Sequence, residues 1–379
     1  MRFHNASSVA RALTRPQTVF LALVVFLLTV SSAARAESSG LPRRVFLPYV
    51  TVGPPPPHLG YGANIAAADH AALLPNMGFE WAKGFVSWDA VGAGPPYNWV
   101  HVDNQLRQFK PHVPNILLRI NGPMPAGIGN PIHSPSDLAA FRAFTQALAR
   151  HVRQAWNPAT VAYEILNEPN LSYEWGAAPD PAGYVAVLRA GYEGIKAGDA
   201  KAWVVSAGLA TGGHYDDLAF IREMYRAGAK PYFDALGSHP YGGSGPPDQK
   251  QGPVYFRRAE EQRQVMLEFG DGAKPIWATE FGWIVGTAAC NFGYHEWMEV
   301  TEAQQAEYLA AAYRYADRFW PWMGPMFIFN LDLATVPWYA YCEQMRWYSI
   351  YVPGAAPGTV APRPAVVALK ALPKRSRWR

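Results

Sequence analysis

The sequence predicts a single (β/α)8 barrel domain, and three observations support this fold class. Eight short apolar runs follow one another between residues 59 and 330. The runs do not alternate between apolar and polar residues, which is typical of parallel strands buried on both faces. Amphipathic helical patterns separate several of the runs. A doubly wound open sheet is the alternative, but no glycine-rich phosphate-binding loop follows the first run.

The same runs predict where the strands and helices begin. The eight strands are expected near residues 59–65, 81–87, 116–121, 161–167, 203–208, 234–239, 275–280 and 325–330. Ser134, Asp180 and Thr301 are predicted helix N-caps, because each one precedes apolar residues at helical spacing.

The first 58 residues are predicted to lie outside the barrel. Residues 1–36 have the pattern of a secretory signal peptide: early arginines, an apolar run and the cleavage-site sequence Ala34-Arg35-Ala36. The apolar run, residues 19–30, is shorter than the ~20 residues that span a membrane; an uncleaved anchor is the alternative. Residues 37–58 contain four consecutive prolines and are predicted to be a linker. Residues 59–379 would then form a secreted or cell-surface barrel without a stable membrane span.

The charge of the exported chain gives no indication of a nucleic-acid partner. The whole sequence has 33 basic and 29 acidic residues, a formal net charge of +4. Four arginines belong to the predicted signal peptide, which leaves 29 basic residues (33 less 4) against 29 acidic ones. No basic excess remains for binding phosphates. Aromatic residues make up 14% of the chain, which suits a site that stacks on flat apolar faces such as those of sugar rings.

The chain has two cysteines, Cys290 and Cys342. They follow the seventh and eighth predicted strands, so their loops should lie at the same end of the barrel. Export permits a disulfide between them, with two unpaired buried thiols as the alternative. No spacing of Cys and His resembles a metal site, and neither a metal nor an organic cofactor is predicted.

Two glutamates stand at the ends of predicted strands. Glu168 ends the fourth strand within YEILNEPN (residues 163–170), and Glu280 ends the seventh within TEFGW (residues 279–283). The carboxyl ends of barrel strands meet at one mouth, where catalytic residues lie. Two carboxylates that converge there are the minimal equipment for cleaving a glycosidic bond. One donates a proton to the leaving oxygen, and the other attacks the anomeric carbon or activates water.

These segments resemble the motifs of clan A glycoside hydrolases. YEILNEPN is similar to the acid/base motif of the clan, TEFGW to its nucleophile strand, and SHPY (residues 238–241) to the end of its sixth strand. Residues 59 to 350 most resemble family 39 and related bacterial (β/α)8 glycosidases. The resemblance implies a retaining hydrolase of O-glycosidic bonds, with Glu168 as acid/base and Glu280 as nucleophile. The implied partner is a carbohydrate, an oligo- or polysaccharide with β-linked sugars.

The resemblance also implies roles for three residues around this pair. Asn167 would hydrogen-bond the 2-hydroxyl of the sugar, a contact that strengthens in the transition state. Tyr241 would hold the carboxylate of Glu280 in position, and His239 would line the same site.

The chain departs from the clan pattern at two places. Clan members usually carry an Arg near the end of strand two, where this chain has Lys83, which keeps the charge but lacks the bidentate fork. An ordinary snorkelling lysine is the alternative. No Trp ends the eighth strand, so Trp283 or Trp338 would substitute as the platform for a sugar. Trp88 is a further candidate for the sugar subsites, with a core position as its alternative.

Arg119, on the third predicted strand, has two candidate roles. Glu164 shares the strand parity of Glu168 and should point into the barrel, where a buried carboxylate needs a partner. Arg119 is either that partner or a substrate-binding residue. Two other functions stay open: a carbohydrate-binding barrel with little or no turnover, and a transglycosylase that passes the covalent intermediate to a sugar acceptor.

Overall fold

The computed structural model describes residues 58–375. The predicted signal peptide and all of the predicted linker except His58 lie outside the described residues. Within residues 58–375, no helix is both long enough and apolar enough to cross a membrane.

Eight parallel strands form the barrel, and each one coincides with a predicted apolar run. They are β1 Tyr61–Asn64, β2 Trp81–Ser87, β3 Asn115–Asn121, β4 Thr160–Ile165, β5 Trp203–Ser206, β6 Leu236–Ser238, β7 Ile276–Phe281 and β8 Met323–Ile328. Their order is β5-β4-β3-β2-β1-β8-β7-β6. The outermost strands, β5 and β6, are joined by a parallel bridge between Val205 and Ala235, which closes the barrel. The predicted fold class is confirmed.

Helices follow the strands around the barrel. They are α1 Trp88–Val91, α2 Val100–Phe109, α3 Pro135–His151, α4 Ser172–Trp175, α5 Pro181–Gly198, α6 Asp217–Arg226, α7 Arg258–Glu268, α8 Glu302–Phe319 and α9 Pro364–Ala371. A 3-10 helix, Ala68–Met77, takes the place of the helix after β1. A short antiparallel pair, β9 Tyr351–Pro353 and β10 Val360–Pro362, lies between β8 and α9.

The three predicted N-caps are confirmed. The side chain of Ser134 accepts a hydrogen bond from the backbone N–H of the third residue of α3, and Asp180 accepts one at the start of α5. Thr301 forms a reciprocal capping box with Gln304 at the start of α8. In each case the cap satisfies a backbone N–H that has no partner within the helix.

Large apolar side chains fill the lower part of the barrel interior. Trp81 packs edge-on against Trp277 and Phe327, with ring centroids 5.3 and 5.9 Å apart. Leu117, Ala162, Val205 and Ala235 complete this apolar plug. Each large buried side chain contributes about 1.5–3 kcal/mol of burial free energy. Because the plug closes the barrel below, polar side chains placed above it can face only the mouth.

Candidate active site

A layer of charged side chains lies directly above the apolar plug. Lys83 on β2, Arg119 on β3 and Glu164 on β4 each stand two residues after a member of the plug on the same strand. Strand side chains alternate with a period of two, so a residue two positions later faces the same interior. The strand geometry therefore carries these charges inside the barrel, close to its mouth.

Glu280 joins this layer because β7 is irregular. Ala278 faces the outer helices, and Phe281 also faces them, packing on Tyr313 of α8 with centroids 5.3 Å apart. Two outward residues at an odd separation require a shift of register, and the pairing of β7 with β8 shifts between these positions. Such an irregularity re-aims a side chain. Here it leaves Glu280 facing the mouth instead of the outer helices.

The carboxylate of Glu280 is held on both oxygens. Arg119 donates to Oε1 at 3.0 Å, and Lys83 donates to the same oxygen at 3.3 Å. The hydroxyl of Tyr241 donates to Oε2 at 2.8 Å. Burial by itself would raise the pKa of Glu280, but the positive charges of His239, Lys83 and Arg119 outweigh it and lower the pKa. Glu280 is thus kept in the ionised form.

Glu168 faces the same mouth from a strained turn at the end of β4. Leu166 and Glu168 have φ angles of 67° and 37°, in the left-handed region that non-glycine residues rarely adopt. The turn is fixed by the backbone of Glu168, which donates to the carbonyl of Gly208 at 3.1 Å and accepts from Leu171 at 2.8 Å. Backbone strain of this kind tends to be retained where it places a functional side chain.

His239 connects the two glutamates. Its Nδ1 lies 2.8 Å from Oε1 of Glu168 and 3.7 Å from Oε2 of Glu280. Burial would lower the pKa of His239, but the surrounding carboxylates of Glu280, Glu164 and Glu168 raise it to about 9. The ring is therefore protonated at neutral pH, and Nδ1 donates to Glu168. The position of Gly208 makes room for this ring, since a Cβ there would overlap it.

The structure corrects the predicted environment of Lys83. The side chain is 0% exposed, so it is neither a snorkelling surface lysine nor a group that meets substrate directly. Its Nζ lies 2.8 Å from Oε2 of Glu164 and 3.0 Å from the carbonyl of Thr279, in addition to its contact with Glu280. Lys83 therefore links two carboxylates beneath the mouth.

Glu164 forms its close ion pair with Lys83, and the predicted pairing with Arg119 is wrong. Arg119 and Glu164 are aligned across neighbouring strands, but each layer of a (β/α)8 interior is formed by alternate strands, such as β2 and β4. The guanidinium of Arg119 instead stacks over the ring of Phe85 at 4.6 Å and reaches toward Glu280. The same nitrogen, Nη1, donates to Oδ1 of Asn167 at 2.7 Å.

Asn167 is held between a cation and a third carboxylate. Its Oδ1 accepts from Arg119, and its Nδ2 donates to Oε1 of Glu174 at 2.9 Å. Glu174 lies on α4, six residues after Glu168, and the sequence analysis did not identify it. The signal was its place in the same segment after strand four, where loop residues can line the mouth.

An open cavity of about 800 Å³ occupies the mouth. This volume is in the upper part of the range for small-molecule sites. Glu168, Glu280, Asn167, Arg119 and Tyr241 line it together with Glu174, and residues of the loops after β5, β7 and β8 complete the walls. His239, also predicted to line the site, is instead fully buried and contacts the site through Glu168.

The aromatic residues at the mouth differ from those predicted. Trp88 is 1% exposed and packs on Phe141 and Phe144 of α3, and Trp283 is 1% exposed and donates to the carbonyl of Gly245. Neither lines the cavity, because both side chains lie beyond the inward-facing part of their strands. The other candidate platform, Trp338, does line the cavity and is 65% exposed.

Cys290 and Cys342 form a disulfide with a Cα–Cα distance of 5.3 Å, as predicted. The bond joins the loop after β7 to the loop after β8. Residues of both loops, including Met298 and Trp338, line the cavity. Within the described residues, no group of three or more His, Cys, Asp or Glu side chains is arranged to hold a metal ion.

Comparison with known proteins gives structural relatives only. No protein-family model matches the sequence, and the comparison with curated proteins gives no significant match. The structure is similar to a family 39 glycoside hydrolase from the gut symbiont Bacteroides cellulosilyticus WH2, with a TM-score of 0.59 and 19% identity over 83% of this chain and 63% of that one. A monomeric β-xylosidase from Caulobacter crescentus CB15 gives a TM-score of 0.57 and 16% identity over 82% and 66% of the two chains.

An exo-β-1,4-mannosidase from Opitutaceae bacterium strain TAV5 is similar at a TM-score of 0.57 and 15% identity, over 82% of this chain and 58% of that one. The chain thus spans about two thirds or less of the length of these proteins. At such identities the likeness shows a shared barrel fold.

Proposed function

We propose that this chain is a retaining glycoside hydrolase that cleaves β-linked sugars. One observation carries the proposal. Oε1 of Glu168 and Oε2 of Glu280 lie 2.8 and 3.7 Å from the same nitrogen of His239, so they are at most 6.5 Å apart (2.8 plus 3.7). Retaining glycosidases place their carboxyl groups about 5–5.5 Å apart, whereas inverting enzymes need about 6.5–9.5 Å to admit a water molecule. The short spacing supports direct attack by a carboxylate.

In the first step, Glu280 attacks the anomeric carbon while Glu168 gives a proton to the leaving oxygen. The C–O bond to the leaving group breaks as the bond to Glu280 forms, and the sugar is left as an ester of Glu280. The environment of Glu280 suits this role, because a nucleophile must be ionised. In the second step, Glu168 takes a proton from water, which attacks the same carbon and releases Glu280.

Arg119, Lys83 and Tyr241 keep the nucleophile aligned during these steps. Their three donors fix both oxygens of Glu280 before substrate arrives, which limits the reorganisation needed at the transition state. Tyr241 remains a donor because burial and the nearby charge of Glu280 raise its pKa well above the ordinary value. Asn167, anchored by Arg119 and Glu174, is placed to contact the hydroxyl next to the anomeric carbon.

A purely binding protein is less well supported by this geometry. The departure at Lys83 was the main reason to consider it, since the chain lacks the usual Arg there. The structure places the Lys83 ammonium 3.3 Å from Glu280, where it supplies the expected positive charge. A binding cleft has no need for two carboxylates braced at this spacing.

We also propose that the protein acts outside the cytoplasm. Two features support export: the signal-like pattern of residues 1–36 and the disulfide between Cys290 and Cys342. Expression of the full-length chain in a bacterial host, followed by N-terminal sequencing of the protein found outside the cytoplasm, tests this. Cleavage after Ala36 is the expected result, and a full-length protein retained in the cytoplasm would contradict it.

The test of the function is release of sugar from a panel of aryl β-glycosides and β-linked polysaccharides. Purified residues 37–379 are compared with Glu280→Gln, which keeps the shape of the side chain and removes its charge. Turnover by the unmodified protein alone supports the proposal. If the variant matched it on every substrate, while both remained folded by circular dichroism, the glycosidase assignment would be wrong.

A further inference from the structure

Glu174 is a carboxylate of the cavity that has no cationic partner. Its only hydrogen bond to a described residue comes from the neutral amide of Asn167, and it forms no ion pair within 4.0 Å in the described part of the chain. The side chain is partly buried and lines the same cavity as Glu168 and Glu280. A carboxylate taken out of water without a counter-charge costs stability.

The other three carboxylates of the site are paired. Glu164 lies 2.8 Å from Lys83, Glu168 lies 2.8 Å from His239, and Glu280 lies 3.0 Å from Arg119. The cations of the site are thus engaged with these three groups. Glu174 is the carboxylate whose charge the protein leaves uncompensated.

The groups around Glu174 act in opposite directions on its charge. Burial raises its pKa most, Arg119 and the hydrogen bond from Asn167 lower it, and the negative charges of Glu168 and Glu280 raise it further. The net effect is a raised pKa. A positive group brought into the cavity next to Glu174 would relieve this penalty.

We propose that Glu174 binds a positively charged amino group of the sugar, so that the preferred substrate is a glycan of 2-amino sugars. The inference rests on the proposed function, in which Asn167 contacts the substituent next to the anomeric carbon. That substituent then lies beside the Asn167 amide, whose Nδ2 is 2.9 Å from Glu174. An ammonium group there pairs with the carboxylate, whereas a uronic acid brings a second negative charge to a cavity whose lining arginine is already engaged.

A simpler role for Glu174 is to fix the orientation of Asn167. The two roles can be separated, because Glu174→Gln keeps an oxygen that accepts from Asn167 but removes the negative charge. Glu174→Ala removes both the acceptor and the charge. A positioning role predicts equal losses on all sugars, and a charge-pairing role predicts a loss confined to amino sugars.

The experiment compares kcat/KM for pairs of aryl β-glycosides that differ only in a 2-amino or 2-hydroxyl group, in the gluco, galacto and manno configurations. Measurements at pH 6 keep the amine protonated. The ratio of amino to hydroxyl substrate is taken for each protein, so the intrinsic reactivities cancel when variants are compared. We expect Glu174→Gln to lower this ratio by at least about tenfold, the effect of one charge-assisted hydrogen bond. Its activity on the hydroxyl substrate should stay within about threefold of the unmodified protein.

An unchanged ratio in Glu174→Gln would overturn the inference, as would equal losses on both substrates. Binding to the inactive Glu280→Gln protein gives a second readout. Calorimetry with β-1,4-linked glucosamine and glucose oligomers should show a preference for the amino oligomer that Glu280→Gln/Glu174→Gln lacks. No such preference would also overturn it. If Glu280→Gln matched the unmodified protein on all glycosides, the proposed function would fail instead, and the binding comparison would still test Glu174.

Discussion

The two sides of the barrel mouth hold their glutamates differently. On the β7 side, Glu280 is 6% exposed, and Lys83, Arg119 and Tyr241 all donate to its carboxylate. On the β4 side, Glu168 is 16% exposed, and its carboxyl group hydrogen-bonds only His239 among the described residues. The β7 side is also cross-linked by the disulfide to the next loop, whereas the β4 side turns through strained backbone.

The difference matches the demands of two chemical roles. A nucleophile has to be ionised and aimed at one carbon, so several fixed donors help it. An acid/base group must gain and lose a proton in each cycle, so a dense shell of cations would hinder it. The contrast therefore assigns attack to Glu280 and proton transfer to Glu168, and each prediction below challenges or refines that assignment.

The largest expected effect separates the two glutamates by their response to the leaving group. Glu280→Gln should lose at least about 10⁴-fold in kcat on every substrate, because no nucleophile remains. Glu168→Gln should lose much less in the first step on aryl glycosides with a very acidic phenol, since such a leaving group needs no proton. Stopped-flow release of the phenol measures this step. Equal losses in both variants on the activated substrate would remove the distinction.

The second prediction concerns the buried ion pair beneath the nucleophile. Lys83→Met leaves Glu164 charged without its partner in the barrel interior, and should cost about 3–5 kcal/mol of unfolding free energy. Lys83→Met/Glu164→Gln removes both charges and should recover most of that stability, but not the activity, because Glu280 still lacks the ammonium. Denaturant titration and kcat/KM are the two measurements. Recovery of activity in the double variant would show that Lys83 serves only to neutralise Glu164.

The disulfide tests whether the β7 side owes its rigidity to the cross-link. Cys290→Ser/Cys342→Ser should lower the free energy of unfolding by about 2–4 kcal/mol, because a closed loop in the unfolded chain is released. Since Met298 and Trp338 lie on the two joined loops, KM for a polysaccharide should rise while kcat on a small aryl glycoside changes little. Chemical denaturation with and without reductant measures the first effect. An unchanged midpoint would show that the loops are held by other contacts.

The smallest predicted effect is on pH dependence. Tyr241→Phe removes one donor to the ionised form of Glu280, so the pKa of Glu280 should rise toward its ordinary value. The acidic limb of kcat/KM should then move to higher pH, with about a tenfold loss at pH 7. Tyr348→Phe is a matched control, because Tyr348 lines the cavity without a hydrogen bond to Glu280. A shift of equal size in both variants would argue against the specific role of Tyr241.

The fold could be predicted from the sequence because its signals are local. Each barrel strand is a short apolar run, and the caps Ser134, Asp180 and Thr301 precede helical patterns that declare themselves within a few residues. Glu168 and Glu280 were found because strand ends are known to face the mouth. The disulfide was found because both cysteines follow neighbouring strands of the barrel.

The rest of the site depends on contacts that the sequence does not record. The burial of Lys83 between Glu164 and Glu280 joins residues 81 and 197 positions apart. Trp88 and Trp283 looked like platforms, yet the chain turns after their strands and directs them into the core. Glu174 was missed because a polar residue in a short loop has no period that indicates which way it points.

The central claim, that Glu280 attacks carbon directly, is tested most directly by the stereochemistry of the first product. Proton NMR of the reaction with an aryl β-glycoside distinguishes the two anomers before they equilibrate. The account predicts that the β-anomer forms first, because two displacements restore the original configuration. An α-anomer as first product would mean that water attacks directly and that Glu280 acts as a base, contradicting the assignment made here.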